Sequence, residues 1–88
     1  MNIKILGTGC AKCHALGKTI KEVVDDLQID ATIEEVKDIG KILEYPILTT
    51  PALVINEEVV SSGQVLKKEV ATQLIINALG KEEQKESS

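Results

Sequence analysis

The sequence predicts a single α/β domain in the order β-α-β-α-β-β-α, with a four-stranded mixed sheet flanked by helices. Three observations lead there. The chain has 88 residues, enough for one domain and too few for two. Its apolar residues switch between short continuous runs, which read as buried strands, and a spacing of three and four, which reads as a helix stripe. Its first two strand-like runs are joined through a helical stretch, which makes them parallel, whereas its last two form a hairpin, which makes them antiparallel.

Asn2 to Leu6 is an apolar run stopped by Gly7-Thr8-Gly9 and forms the first strand. Leu16, Ile20, Val23, Val24 and Leu27 then recur at helical spacing, with Lys18, Lys21, Glu22, Asp25 and Asp26 mostly on the other face. A helix is therefore predicted from about Ala11 to Leu27. Ala31 to Val36 is the second strand, anchored by Ile33 and Val36. Asp38 caps a short helix carrying Ile39, Ile42 and Leu43, in which Gly40 costs about 1 kcal/mol relative to alanine. Tyr45-Pro46 ends it, because the residue before proline avoids the helical region.

Pro51 to Ile55 is the third strand, Asn56-Glu57-Glu58 a turn, and Val59 to Ser62 the fourth strand. After Gly63, residues Leu66, Val70, Leu74 and Ala78 trace one face of a final helix that ends near Leu79, and Gly80 stops it. The domain is thus expected over residues 1–80. The charged tail, 81–88, has nothing to bury and is expected to be disordered. No internal repeat or linker divides the chain.

Hydrophobic residues make up 43% of the chain and charged residues 27%, an ordinary balance for a globular fold. There is no Trp, no Phe and one Tyr, Tyr45, so Leu, Ile and Val must build the core. Without aromatic platforms for bases, and with a net charge of −4, the chain is a poor nucleic-acid reader. No apolar run approaches the roughly 20 residues that span a bilayer, and the N-terminus enters a strand pattern without the features of a signal peptide. A cytoplasmic protein that binds neither nucleic acid nor membrane is expected.

The chemistry is concentrated at Cys10-Ala11-Lys12-Cys13. A disulfide closing so short a loop is a poor structural staple, and in a reducing compartment such a pair is more often catalytic or metal-binding. Cys10 falls at the start of the first helix and Cys13 one turn inside it. Free backbone N–H groups and the partial positive charge of a helix N-terminus favour a thiolate, and Lys12 adds a full charge nearby. Cys10 is therefore the attacking nucleophile, and Cys13, more shielded, resolves the mixed disulfide. The plainer alternative, two buried cysteines acting as small hydrophobes, is opposed by Gly7 and Gly9, which expose the loop. His14 is read as a solvated helix residue, its functional alternatives being to tune the thiolate or to serve as a third metal ligand.

Thr49-Thr50-Pro51-Ala52-Leu53 is the second feature. Proline opening an apolar strand is sterically allowed. The sharper reading is a cis peptide at Thr50-Pro51, leaving the Thr50 backbone to pair with an extended substrate.

A CxxC after the first strand, Thr50-Pro51 opening the third and Gly63 after the fourth resemble the thioredoxin/glutaredoxin-like superfamily. Thr50 to Asn56 and Val59 to Gly63 look particularly like its small redox-active disulfide proteins. The resemblance spans about residues 2 to 79 and implies a thioredoxin-like fold. Cys10 and Cys13 would then be the redox pair, Pro51 the cis-proline beside them and Gly63 part of the substrate groove. The sequence departs from thioredoxins in having Gly9 where they carry Trp, and Ala11-Lys12 where they carry Gly-Pro. Its first strand offers no acidic proton acceptor, only Lys4.

The function expected is thiol-disulfide oxidoreduction, of the protein-disulfide reductase type. No bound cofactor or metal is required beyond the redox-active disulfide Cys10-Cys13. The electron donor expected is a thioredoxin-reductase-like flavoprotein, the substrates are disulfide-containing proteins or small molecules, and a monomer is expected. The alternative is a Cu(I)- or Zn(II)-binding metallochaperone-type module using the CxxC loop. Such modules end on a strand, whereas this chain is predicted to end on a helix. A third possibility is an adaptor that keeps the fold without useful redox chemistry.

Overall fold

A computed structural model describes residues 1–47 and 49–87, and side chains as far as residue 81 apart from Leu48. The elements are β1 (Asn2–Leu6), α1 (Ala11–Leu27), β2 (Thr32–Val36), α2 (Ile39–Ile42), β3 (Ala52–Ile55), β4 (Glu58–Ser62) and α3 (Lys68–Ser87). The sheet order is β2-β1-β3-β4. β1 and β2 are parallel, with Ile5 opposite Glu35, while β1–β3 and β3–β4 are antiparallel. The expected mixed sheet and element order are therefore what the chain adopts.

Alternation along the central strands divides the core between the two sheet faces. Ile3, Ile5, Leu53 and Ile55 face α1 and α3, meeting Leu16, Ile20, Val23, Ala71 and Ile75. Leu6, Ala52 and Val54 face the other way, toward Val36 and Ile42, with Tyr45, Ile47 and Val59 half-buried against them. β3 is buried at all four positions because it is central and covered on both sides. Among the described residues, the helix on the second face is the single turn of α2. Beside it lies an open groove of about 440 Å³ lined by Lys4, Glu34, Val36, Lys41, Glu44, Tyr45 and Glu57.

Most local signals act as read. Asp38 caps α2 by accepting from the Gly40 N–H at 2.8 Å. Asn56 and Glu57 take positive φ (50° and 68°) in the tight β3–β4 turn, the backbone that hairpins favour.

The final helix differs from expectation in three ways. Leu66 joins the core from the loop before Lys68 and is not part of the helix. The helix's inward residues are Ala71 and Ile75, with Leu74 and Ala78 half-buried, whereas Val70 is exposed. At about 100° per residue, that buried group centres roughly one residue step round from Val70. Gly80, moreover, does not stop α3, which continues past it. A helix-interior glycine costs only about 1 kcal/mol. Lys81, in the same helix, donates to both carboxylate oxygens of Glu58 at 3.0 and 3.2 Å. Of the tail 81–88 expected to be disordered, the backbone is helical as far as Ser87, while Ser88 and the side chains of 82–87 lie outside the described residues.

Candidate active site

The C-terminal ends of β1 and β2 and the N-terminus of α1 converge on Cys10 and Cys13. β1 stops at Leu6, and the Gly7 N–H donates to the Val36 carbonyl at 3.0 Å, which joins the β1–α1 loop to the end of β2. The chain then turns through Gly9, at φ +91°, into α1, and Cys10 is the N-cap. The cap is a sulfur, accepting from the Cys13 backbone N–H at 3.4 Å. Both residues are free thiols, Cys10 exposed and Cys13 buried, with their Sγ atoms 2.7 Å apart.

That geometry separates the two thiols chemically. The Cys13 thiol, followed by the Cys13 backbone N–H, holds Cys10 below its ordinary value of 9.0, because both donate to the thiolate. Burial first, and then the neighbouring Cys10, push Cys13 above its own 9.0. Lys12 is exposed, and its backbone N–H is one of the lesser donors to Cys10. His14 is exposed too; its backbone N–H donates to the Cys10 carbonyl at 3.1 Å in the first turn of α1.

Pro51 is buried, and the Thr50–Pro51 peptide is cis. Two glycines beside this segment do different work. At Gly7 a side chain would run into Cys13 Sγ, with the Pro51 Cα 4.0 Å away, so glycine lets the β1 end lie between the dithiol and the proline. Gly63 has φ +76°, a conformation in which a side chain would be strained, and a Cβ there would meet Thr49 Cγ2. Its N–H donates to the Pro51 carbonyl at 2.8 Å, while Ser62 Oγ donates to the Thr49 carbonyl at 3.0 Å. The end of β4 thus holds the 49–51 segment in place. Cys10, Cys13, Pro51 and Gly63 are brought to one end of the sheet, with the half-buried Thr50 directly before Pro51.

Sequence reasoning missed a narrow cleft next to Cys13, lined by Ile5, Gly7, Gly9, Cys13, His14, Glu35 and Lys37. The available signal was strand alternation, which turns Glu35 to the same face as Ile33. It also missed a polar cluster on the other face of the sheet. There Lys4 Nζ donates to Glu57 Oε1 at 2.6 Å and to the Tyr45 hydroxyl at 3.0 Å, and that hydroxyl donates to Glu57 Oε2 at 3.2 Å. Tyr45, read in the sequence only as the residue that ends α2 with Pro46, completes this cluster.

The family model of the thioredoxin domain matches residues 1–76. A thioredoxin of Methanothermobacter thermautotrophicus is 42% identical over 69 residues, covering 78% of this chain and 90% of the relative. A thioredoxin of Methanocaldococcus jannaschii is 36% identical over 63 residues, covering 72% of each.

Proposed function

The chain belongs to the thioredoxin family, and from that membership we propose that it is a thiol-disulfide oxidoreductase reducing or exchanging disulfides through Cys10 and Cys13. The observation that carries the reading is the asymmetry of two thiols in contact: one exposed and acidified, the other buried and held protonated. A dithiol that reduces a disulfide needs one member ready to attack and another that waits.

In the first step the Cys10 thiolate attacks one sulfur of the substrate disulfide. A bond forms from Cys10 Sγ to that sulfur, and the other substrate sulfur leaves as a thiolate. Cys13 then gives up its proton and attacks Cys10 Sγ. The Cys10–Cys13 disulfide forms, and the second substrate thiolate departs. The substrate gains two electrons and the protein loses two. A thioredoxin-reductase-like flavoprotein returns them, and no resident cofactor takes part. Thr50, Pro51 and Gly63 form the substrate groove, with the Thr50 backbone receiving an extended segment of a disulfide-bearing protein. The setting is cytoplasmic, a reading that rests on the thioredoxin relatives.

The test is an equilibrium redox titration of metal-free protein in dithiothreitol or glutathione buffers, with alkylated intact mass reporting both thiols. One two-electron transition between about −180 and −270 mV supports the reading. Failure to form an intramolecular disulfide overturns it and turns attention to Cu(I) and Zn(II) binding. Among the described residues, no three His, Cys, Asp or Glu side chains are grouped to hold a metal ion.

A further inference from the structure

Dithiol exchange leaves one proton without an acceptor. Cys13 must become a thiolate before it can attack the mixed disulfide, yet it is buried, with its Sγ turned to Cys10. β1 offers no acid. Its Lys4 sits on the opposite sheet face, engaged by Tyr45 and Glu57.

We propose that Glu35 of β2 takes the Cys13 proton in the resolving step, and the proposal rests on the dithiol exchange described above. Three placements carry it. Along β2, Ile33 packs into the core shared with α1, and Glu35, two residues on, faces the same way opposite Ile5. β2 is an edge strand of the sheet, so Glu35 borders α1 while remaining open to solvent.

α1 makes room for that carboxylate. Gly17 lies in the buried interior of the helix, where glycine costs about 1 kcal/mol against alanine. A Cβ at Gly17 would stand 3.4 Å from Glu35 Oε1 and 3.5 Å from Ile5 Cδ1. Gly17 is one helical turn after Cys13 and on the same face. The missing side chain is thus where Glu35 comes against the helix, next to the buried thiol.

The two groups also share a cleft. Cys13 and Glu35 line the same narrow cleft of about 10 Å³, about the room of one water molecule, and in the proposal a water there relays the proton. The Glu35 side chain is 36% exposed, leaving a route onward to solvent. The other titratable or charged groups here are His14 on α1, Lys37 after β2 and Cys10. Lys37 Nζ is 3.8 Å from Glu35 Oε2. In balance, Cys13–SH and Glu35–COO⁻ become Cys13–S⁻ and Glu35–COOH. The thiolate closes the disulfide, expelling the substrate thiolate, and Glu35 returns its proton to water.

Stopped-flow reaction of the reduced full chain with excess 5,5′-dithiobis(2-nitrobenzoate) separates the two attacks. Cys10 releases the first thionitrobenzoate at a rate proportional to reagent. Cys13 releases the second at a rate independent of it. Glu35→Gln should slow the second phase by about tenfold or more near pH 6.5, and converge with the native chain at alkaline pH, where Cys13 ionises unaided. The first phase should be unchanged, and Glu35→Asp should recover part of the second. An unaltered second-phase pH profile in Glu35→Gln, or equal slowing at every pH alongside a lower Tm, overturns the proposal. So does a displaced profile in His14→Gln with none in Glu35→Gln, which would make His14 the acceptor. Absence of a second phase in the native chain would instead sink the dithiol reading itself, and this proposal with it.

Discussion

Two thiols three residues apart ionise differently here because one caps a helix and the other lies a turn inside it. The largest influence on Cys10 is the Cys13 thiol, ahead of the backbone N–H groups. Cys13→Ala should therefore raise the Cys10 pKa toward its ordinary 9.0, since the thiolate loses its strongest donor while the neutral thiol loses little. The rate of alkylation by iodoacetamide against pH reads this directly: the midpoint moves to higher pH in the variant. An unmoved midpoint would mean that the helix N-terminus alone acidifies Cys10. This part of the site was legible from sequence because capping acts over three residues. The Lys4–Glu57 pair spans 53 positions, and the approach of Glu35 to Gly17 likewise needs the sheet register and helix packing together. Neither leaves a local motif.

Elements were legible where one signal decided them and less so where several apolar faces competed. α1 has one stripe, and its range was read directly. α3 carries Val70, Ala71, Leu74, Ile75 and Ile76, so its inward face depends on where the helix meets α1, and Ala71 with Ile75 proves to be buried. The β3–β4 hairpin shows how a turn is held by another element: Glu57, at positive φ, reaches back to Lys4 on β1. Lys4 and Tyr45 keep the Glu57 carboxyl below its ordinary 4.5, Lys4 foremost, and Glu57 in turn raises the Lys4 ammonium above its ordinary 10.5. The lowered carboxyl gives stability that is present above pH 4.5 and lost as pH falls through the folded-state value. The raised ammonium gives stability present below pH 10.5 and lost above it. Glu57→Gln should thus lower Tm at pH 7, and its difference from the native chain should shrink toward both acid and strong alkali. Thermal melts across pH check this, and a gap constant with pH would make the loss one of turn packing.

At the scale of the whole molecule, stability is unevenly distributed between the two faces of the sheet. The larger core cluster joins β1 and β3 to α1 and α3, whereas the other face has one turn of α2 and an open polar groove. The dithiol lies where the end of β1 meets the start of α1, so its geometry depends on the heavily packed face staying intact. A chain of 88 residues has a total stability on the order of 4 to 13 kcal/mol. α3 meets the rest of the molecule through apolar burial and through surface ion pairs: Ala71 and Ile75 are fully buried, whereas Lys68 reaches Asp26 and Lys81 reaches Glu58, each side chain of the latter pair being about 60% exposed. Burial and exposed charge differ sharply in worth. Ile75→Ala should cost about 2 to 5 kcal/mol through lost contacts and the cavity left behind. Lys81→Ala should cost about 1 kcal/mol or less, because an exposed ion pair is largely offset by hydration and side-chain entropy. Urea denaturation of both variants measures the contrast. If Lys81→Ala proved as costly as Ile75→Ala, the part of α3 beyond Gly80 would be holding the domain together. The expected order instead makes the buried first half of α3 the clamp that keeps α1, and with it Cys10 and Cys13, seated on the sheet.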